Sequence, residues 1–188
     1  MTDILSAETL YAIRPAQLED CEQLAHVSID AMLTKPLHNH YEIVSEFAPL
    51  KLKSTGNPML GRPEDTAIFD TQISQLQKDI RRTASEQHHY LMLAEDTNGQ
   101  ACGYINYFFQ PEKSLATIKE IYTVSKNGVG KQLVDHFKAN MESANIRSAE
   151  LVMPNKALAF FEKQGFKRDA HAPLHPTENH MTYQRPGV

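Results

Sequence analysis

Two polar side chains alternate along a predicted strand that ends just before a glycine-containing turn. Glu120 and Tyr122 lie two residues apart in the apolar segment 116–124, so both side chains point to the same face of a strand. Burial raises the pKa of a carboxyl group, which suits Glu120 to accept a proton from an amine. The pattern therefore predicts a general base at Glu120. A structural glutamate in a salt bridge is the alternative.

The glycines after this strand indicate an anion site. Gly128 and Gly130 leave several backbone N–H groups bare at the start of a predicted helix. Unpaired amides and the positive end of the helix dipole favour a phosphate there. An ordinary strand-to-helix turn is the alternative, because two glycines make a weak motif. The helix is predicted from five apolar residues at helical spacing, namely Val129, Leu133, Val134, Phe137 and Met141.

A second segment lies downstream, where residues 154–166 read P-N-K-A-L-A-F-F-E-K-Q-G-F. Together with the glycine turn, this stretch resembles the C-terminal signature of the GCN5-related N-acetyltransferases. Near the start of the chain, A-I-R-P-A at 12–16 followed by Glu19 and Asp20 is similar to the family's first strand and the entry to its first helix. The resemblance extends over residues 13–183, with its weakest part at 35–83.

The resemblance implies an α/β fold, α+β by connectivity, with a mixed sheet of six or seven strands flanked by helices. One such domain is expected over residues 1–188, with its core at 11–185. Acetyl-CoA is the implied cosubstrate, and its acetyl group passes directly to a primary amine while both substrates are bound. The resemblance also implies that backbone amides of the strand at 122–124 polarise the acetyl carbonyl. The implied cosubstrate-binding residues are Tyr122, Thr123, Val124, Asn127, Gly128, Val129, Gly130, Lys131, Asn155 and Phe161.

Two departures from the family pattern concern this chemistry. Ser125 stands where the family usually has arginine or glutamine, in a turn that is shorter than usual. Phe161 stands where the family often has a tyrosine that protonates the leaving thiolate, and a phenyl ring has no proton to give. Tyr107 and Tyr183 are the predicted replacement acids, although Tyr107 also fits a core aromatic. Two alternative functions therefore stay open: CoA binding or regulation without catalysis, and non-acetyl chemistry on a natural product.

Composition limits the classes of partner. The chain has 188 residues, 41% of them hydrophobic, which suits one globular domain. A formal net charge of −4 disfavours nucleic-acid binding through the phosphate backbone, and no apolar stretch approaches the ~20 residues that cross a bilayer. With two isolated cysteines and no recognisable signal peptide, we expect a cytoplasmic protein. The expected partner is a small-molecule amine, and a homodimer is compatible with the sequence.

The order of elements is predicted as β-α-α-β-β-β-α-β-α-β-β, with helices at 18–33, 69–83 and 156–164 among them. Asn98-Gly99 between two apolar runs predicts a hairpin. Residues 37–70 are predicted to be irregular, and their length indicates that they cover the acceptor pocket. Five histidines are interpreted as loop and strand residues rather than metal ligands, namely His38, His40, His171, His175 and His180.

Overall fold

The computed structural model describes residues 11–33, 63–124, 128–154, 157–169 and 178–187, and the predicted order of elements is confirmed in these ranges. The strands are β1 (Ala12–Pro15), β2 (His89–Glu95), β3 (Ala101–Gln110), β4 (Leu115–Thr123), β5 (Ser148–Pro154), β6 (Lys167–Arg168) and β7 (Glu178–Gln184). The helices are α1 (Cys21–Leu33), α2 (Pro63–Ser85), α3 (Val129–Ser143) and α4 (Leu158–Lys163). Short 3₁₀ turns occupy Leu18–Asp20 and Pro111–Lys113.

The seven strands form one mixed sheet in the order β1-β2-β3-β4-β5-β7-β6. Only the central pair, β4 and β5, is parallel, and the other neighbours pair antiparallel. The β2–β3 hairpin turns at Asn98-Gly99 as predicted, because Gly99 adopts a φ of 76° that glycine tolerates. The Asp96 carboxylate accepts hydrogen bonds from the Asn98 and Gln100 amides in this turn.

Each face of the sheet has its own core. Helices α1 and α2 cover one face, where Leu24, Leu76 and Leu93 are fully buried. Helix α3 covers the other face, and all five apolar residues predicted for this helix are buried there: Val129, Leu133, Val134, Phe137 and Met141. Because side chains alternate along a strand, consecutive residues of β3 and β4 point to different faces, except at the irregularity that includes Lys119 and Glu120. Two functional side chains can therefore meet only if they point to the same face of the sheet.

Three predicted boundaries are wrong. Helix α2 begins at Pro63 rather than at Phe69, since proline fits the first turn of a helix, where its missing N–H is not needed. The helix predicted at 18–33 is a 3₁₀ turn followed by α1. Helix α4 begins at Leu158, two residues after the predicted start. Residues 37–62, and with them most of the segment predicted to cover the pocket, lie outside the described residues.

Among the described residues, no helix is both long and apolar enough to cross a membrane. Cys21 is buried and Cys102 is partly buried, and both are free thiols. Burial raises the pKa of each thiol.

Candidate active site

The sheet divides at the parallel pair. Strands β4 and β5 pair only from Leu115 opposite Ser148 to Ile118 opposite Leu151. Beyond that point β4 runs on to Thr123 and β5 to Pro154 without pairing with each other. Parallel strands that separate at their carboxyl ends leave a cleft there, which is where open α/β sheets bind ligands. The cleft lies between the ends of β4 and β5, just ahead of α3 and α4 in the chain.

The start of α3 suits an anion. Gly128 is the N-cap residue with a φ of 84°, and its carbonyl accepts a hydrogen bond of 3.1 Å from the Gln132 amide. The amides of Val129 and Gly130 have no acceptor within the helix, because they belong to its first turn. A Cβ atom at Gly128 would meet nothing within 4 Å, so there is open space on that side of the residue. These features fit the pyrophosphate of a CoA molecule.

Gly130 has a different environment from Gly128. A Cβ atom there would lie 3.3 Å from Cζ of Phe160 and 3.6 Å from the Thr123 methyl group. Gly130 therefore permits close packing of α3 against α4 and the end of β4. The side of Gly130 on which a side chain would lie therefore faces the protein.

The end of β4 presents some of its amides to the cleft. The Val124 amide donates a 3.0 Å hydrogen bond to the Cys102 carbonyl of β3, so it is used within the sheet. Amides alternate between the two sides of a strand, and the Thr123 and Ile121 amides therefore point towards β5. Both lie beyond the last β4–β5 pair at Ile118. Of the predicted amides at 122–124, Thr123 is the one directed into the cleft.

Glu120 and Tyr122 share the α1–α2 face of the sheet, as their spacing predicts. Tyr122 packs on the buried Tyr104 with ring centroids 5.5 Å apart. The Glu120 carboxylate accepts a 3.4 Å hydrogen bond from the Asn106 amide. Burial raises the pKa of Glu120, and the Asn106 hydrogen bond opposes this rise. Burial, followed by the negative charge of Glu120, raises the pKa of Tyr122 to about 12.

The two predicted replacement acids lie across the sheet from Glu120. The Tyr107 hydroxyl is fully buried and accepts a 2.6 Å hydrogen bond from the Asn140 side chain of α3. Burial raises the pKa of Tyr107. Tyr183 packs on Phe166, and the Lys138 ammonium of α3 lies 4.7 Å from its ring centroid. The structure therefore brings Glu120 and Tyr122 together, but neither tyrosine acid joins them.

The remaining predicted residues divide between core, surface and undescribed segments. Phe161 is 2% exposed and packs edge-on against Phe160 and Phe166, with centroids 4.9 and 5.4 Å away. The Lys131 ammonium pairs with Asp135 at 2.7 Å on the exposed side of α3. Asn127 and Asn155 lie outside the described residues, as does Ser125.

His180 is the only one of the five histidines within the described ranges. It lies on β7, with Nδ1 3.3 Å from Asp169 and Nε2 3.6 Å from Glu150. In the described part of the chain, no group of three histidine, cysteine or acidic residues is arranged to hold a metal ion.

Sequence reasoning missed three polar residues next to Glu120, which are Asp79, Asn106 and Lys119. Asp79 and Asn106 are 4% and 3% exposed, respectively. A signal was present for Asp79, since it lies beside Ile80 and three residues after Leu76 on the apolar stripe of α2. Asn106 likewise lies two residues after Tyr104, on the same face of β3.

The central split in a mixed sheet, with a helix N-terminus at the end of β4, defines an acyl-CoA N-acyltransferase fold. A sequence model of the acetyltransferase (GNAT) family matches residues 58–166. This match covers more than half of the chain, which therefore belongs to the GNAT family. The family uses acetyl-CoA as cosubstrate. No curated protein matches the chain.

Solved structures share this fold at low sequence identity. The PaiA N-acetyltransferase of Thermoplasma acidophilum, in complex with coenzyme A, is 16% identical with a TM-score of 0.67, and the match covers 94% of this chain and 99% of that one. An acetyltransferase of Thermus thermophilus is 18% identical with a TM-score of 0.63, covering 95% and 99%. The ribosomal-protein-S18-alanine N-acetyltransferase of Escherichia coli is 12% identical with a TM-score of 0.59, covering 93% and 94%.

Proposed function

We propose that the protein is a cytoplasmic N-acetyltransferase that transfers the acetyl group of acetyl-CoA to a primary amine of a small molecule. The observation that carries this proposal is the cleft between β4 and β5, with the α3 N-terminus at its edge. When bound, acetyl-CoA supplies an acetyl group activated as a thioester. Free thiols at Cys21 and Cys102 are compatible with a reducing compartment.

Several backbone groups are proposed to bind the cosubstrate. The first-turn amides of α3, at Val129 and Gly130, hold the pyrophosphate, and the Thr123 amide polarises the acetyl carbonyl. Gly128 gives this turn its left-handed conformation. Lys131, Asn127, Asn155 and the buried Phe161 complete the proposed binding set.

Glu120 is proposed to take the proton of the acceptor ammonium, so that a neutral amine attacks while both substrates are bound. Tyr122 lies beside this carboxylate on the same face and is proposed to help position the acceptor. Both side chains are partly buried between the sheet and the α1–α2 layer. This enclosure favours a small acceptor over an amine on the surface of a folded protein.

The test is release of free CoA thiol from acetyl-CoA with a panel of primary amines. Replacing Glu120 with Gln should lower kcat by about 10²- to 10⁴-fold, as expected for loss of a general base, while acetyl-CoA still binds. Glu112→Gln is the matched control, because Glu112 is exposed in the turn between β3 and β4. Equal rates for Glu120→Gln and Glu112→Gln would remove Glu120 from the mechanism.

A second candidate function is binding of CoA without transfer. Phe161 favours it, because the aromatic residue at this position has no hydroxyl to protonate a thiolate. The same assay decides between the two functions. Binding of acetyl-CoA with no thiol release for any amine would support the second candidate.

A further inference from the structure

A chain of polar contacts runs from the surface of the sheet to Glu120. The Lys119 ammonium lies 3.0 Å from Oδ1 of Asp79 on α2. The Asn106 amide nitrogen lies 3.2 Å from Oδ2 of Asp79 and 3.4 Å from Oε1 of Glu120. Gln75 donates a further 3.1 Å hydrogen bond to Asp79. One side-chain amide with two hydrogens therefore links two carboxylates.

A β-bulge explains why neighbouring residues of β4 both join this cluster. Asn106 pairs with Glu120 and Tyr107 pairs with Ile118, which leaves Lys119 as the extra residue. In a regular strand, Lys119 and Glu120 would point to opposite faces. The bulge instead lets Lys119 reach Asp79 while Glu120 meets Asn106, both on the α2 side of the sheet.

We infer that Asp79 is a positioning residue for Glu120: through Asn106 it fixes the carboxylate, and together with Lys119 it sets how readily Glu120 takes up a proton. This inference rests on the proposed role of Glu120 as the base. Asp79 itself is buried where α2 packs on the sheet, so it acts through Asn106 and through its charge rather than by touching the acceptor.

The groups that face Glu120 determine the direction in which each variant should shift its pKa. Burial is the largest cause of its raised pKa, and the negative charge of Asp79 raises the pKa further. The Asn106 hydrogen bond and the Lys119 charge lower it. From β3 and β4, Tyr104 and Tyr122 face the carboxylate as neutral phenols, since burial raises the pKa of each. The charges that shift the pKa of Glu120 are those of Asp79 on α2 and Lys119 on β4.

The experiment follows the Glu120 carboxyl directly. Protein with ¹³C-labelled glutamate is titrated by NMR without substrate, and the Glu120 signal is assigned by its loss in Glu120→Gln. In Asp79→Asn, which keeps the shape and an acceptor oxygen, the titration midpoint should fall by roughly half a pH unit or more. In Lys119→Met the midpoint should rise. Asp70→Asn, an exposed substitution on the same helix, should leave it unchanged.

The acid limb of the kcat/KM profile should move in the same directions as these midpoints. A folded Asp79→Asn protein whose Glu120 midpoint equals that of wild type overturns the inference. If Asp79→Asn does not fold, an unchanged midpoint in Lys119→Met overturns it in the same way. If the midpoints shift while the rate profile stays fixed, the coupling between Asp79 and Glu120 stands, but Glu120 is not the base. Failure of this inference can therefore be distinguished from failure of the proposed function.

Discussion

The two glycines at the start of α3 differ in what surrounds them, although only Val129 separates them. Gly128 has a φ of 84° and open space around its missing Cβ. Gly130 lies against the Phe160 ring and the Thr123 methyl group. The backbone conformation therefore requires the first glycine, whereas packing between α3 and α4 requires the second.

This difference predicts separable effects for two alanine substitutions. Gly128→Ala forces a left-handed φ on alanine at a cost of about 1 kcal/mol, which the turn relieves by moving its amides, so the Kd for acetyl-CoA should rise. Gly130→Ala brings a methyl group within 3.3 Å of Phe160, so it should lower the thermal midpoint with little change in Kd. Calorimetric titration and melting curves measure both quantities. If Gly130→Ala alone raised the Kd for acetyl-CoA, the roles assigned to the two glycines would be reversed.

A second residue-scale prediction concerns the missing hydroxyl at Phe161. Phe161→Tyr should raise kcat, because it restores a proton donor at the position where the family often has one. It should also lower the thermal midpoint, because the ring is 2% exposed and a buried hydroxyl without a partner is destabilising. Phe160→Tyr, on the adjacent and partly buried ring, is the matched control. Equal kcat values for wild type and Phe161→Tyr would make proton donation there irrelevant.

At the scale of elements, much of the architecture was predictable because each element has a local signal. Turns such as Asn98-Gly99 mark strand ends, and the apolar spacing of α3 marks its buried face. The bulge at Lys119 has no such signal, because one extra residue leaves the hydrophobic pattern of β4 nearly unchanged. The contacts of Asp79 with Asn106 and Lys119, and the face to which Tyr107 points, depend on this register and on how α2 packs. Local sequence patterns specify neither the register nor the packing.

The first strand and helix are joined to β2 by a charge cluster. Arg14 of β1 donates two hydrogen bonds to Asp20, at 2.7 and 2.8 Å, and also contacts Glu95 of β2. Asp20 accepts a 2.7 Å bond from the Gln17 amide, which caps the turn that leads into α1. The cluster therefore fixes the position at which α1 begins. Helix α1 is one of the two helices that cover the face of the sheet where Glu120 lies.

Asp20→Asn should lower the free energy of unfolding by about 2 kcal/mol at neutral pH, since hydrogen bonds to charged groups are worth about 1.5–3 kcal/mol. The Arg14 hydrogen bond lowers the pKa of Asp20, so its stabilisation is present above the unfolded-state pKa and is lost as pH falls through the folded-state pKa. The difference between wild type and variant should therefore shrink below about pH 4. Urea unfolding at several pH values measures it, and a constant difference would contradict this account.

At the scale of the whole molecule, the sheet separates two kinds of task. The α1–α2 face holds Glu120 with its polar neighbours, while the α3 face is an aromatic and aliphatic core around Phe137. The cleft between β4 and β5 is where the two sides meet. Binding of one CoA molecule along this cleft would contact both halves of the sheet and stabilise the fold as a unit.

Acetyl-CoA should therefore raise the thermal midpoint of the whole domain. At a hundred times Kd the stabilisation is about 2.7 kcal/mol, which corresponds to about 5–10 °C for a domain of this size. Acetyl-pantetheine, which lacks the pyrophosphate, should give a much smaller rise at the same concentration, because the α3 amides have no anion to bind. Glu120→Gln should respond to acetyl-CoA as wild type does. Equal rises with the two thioesters would place the pyrophosphate away from α3, and no rise with either would favour non-acetyl chemistry in this cleft.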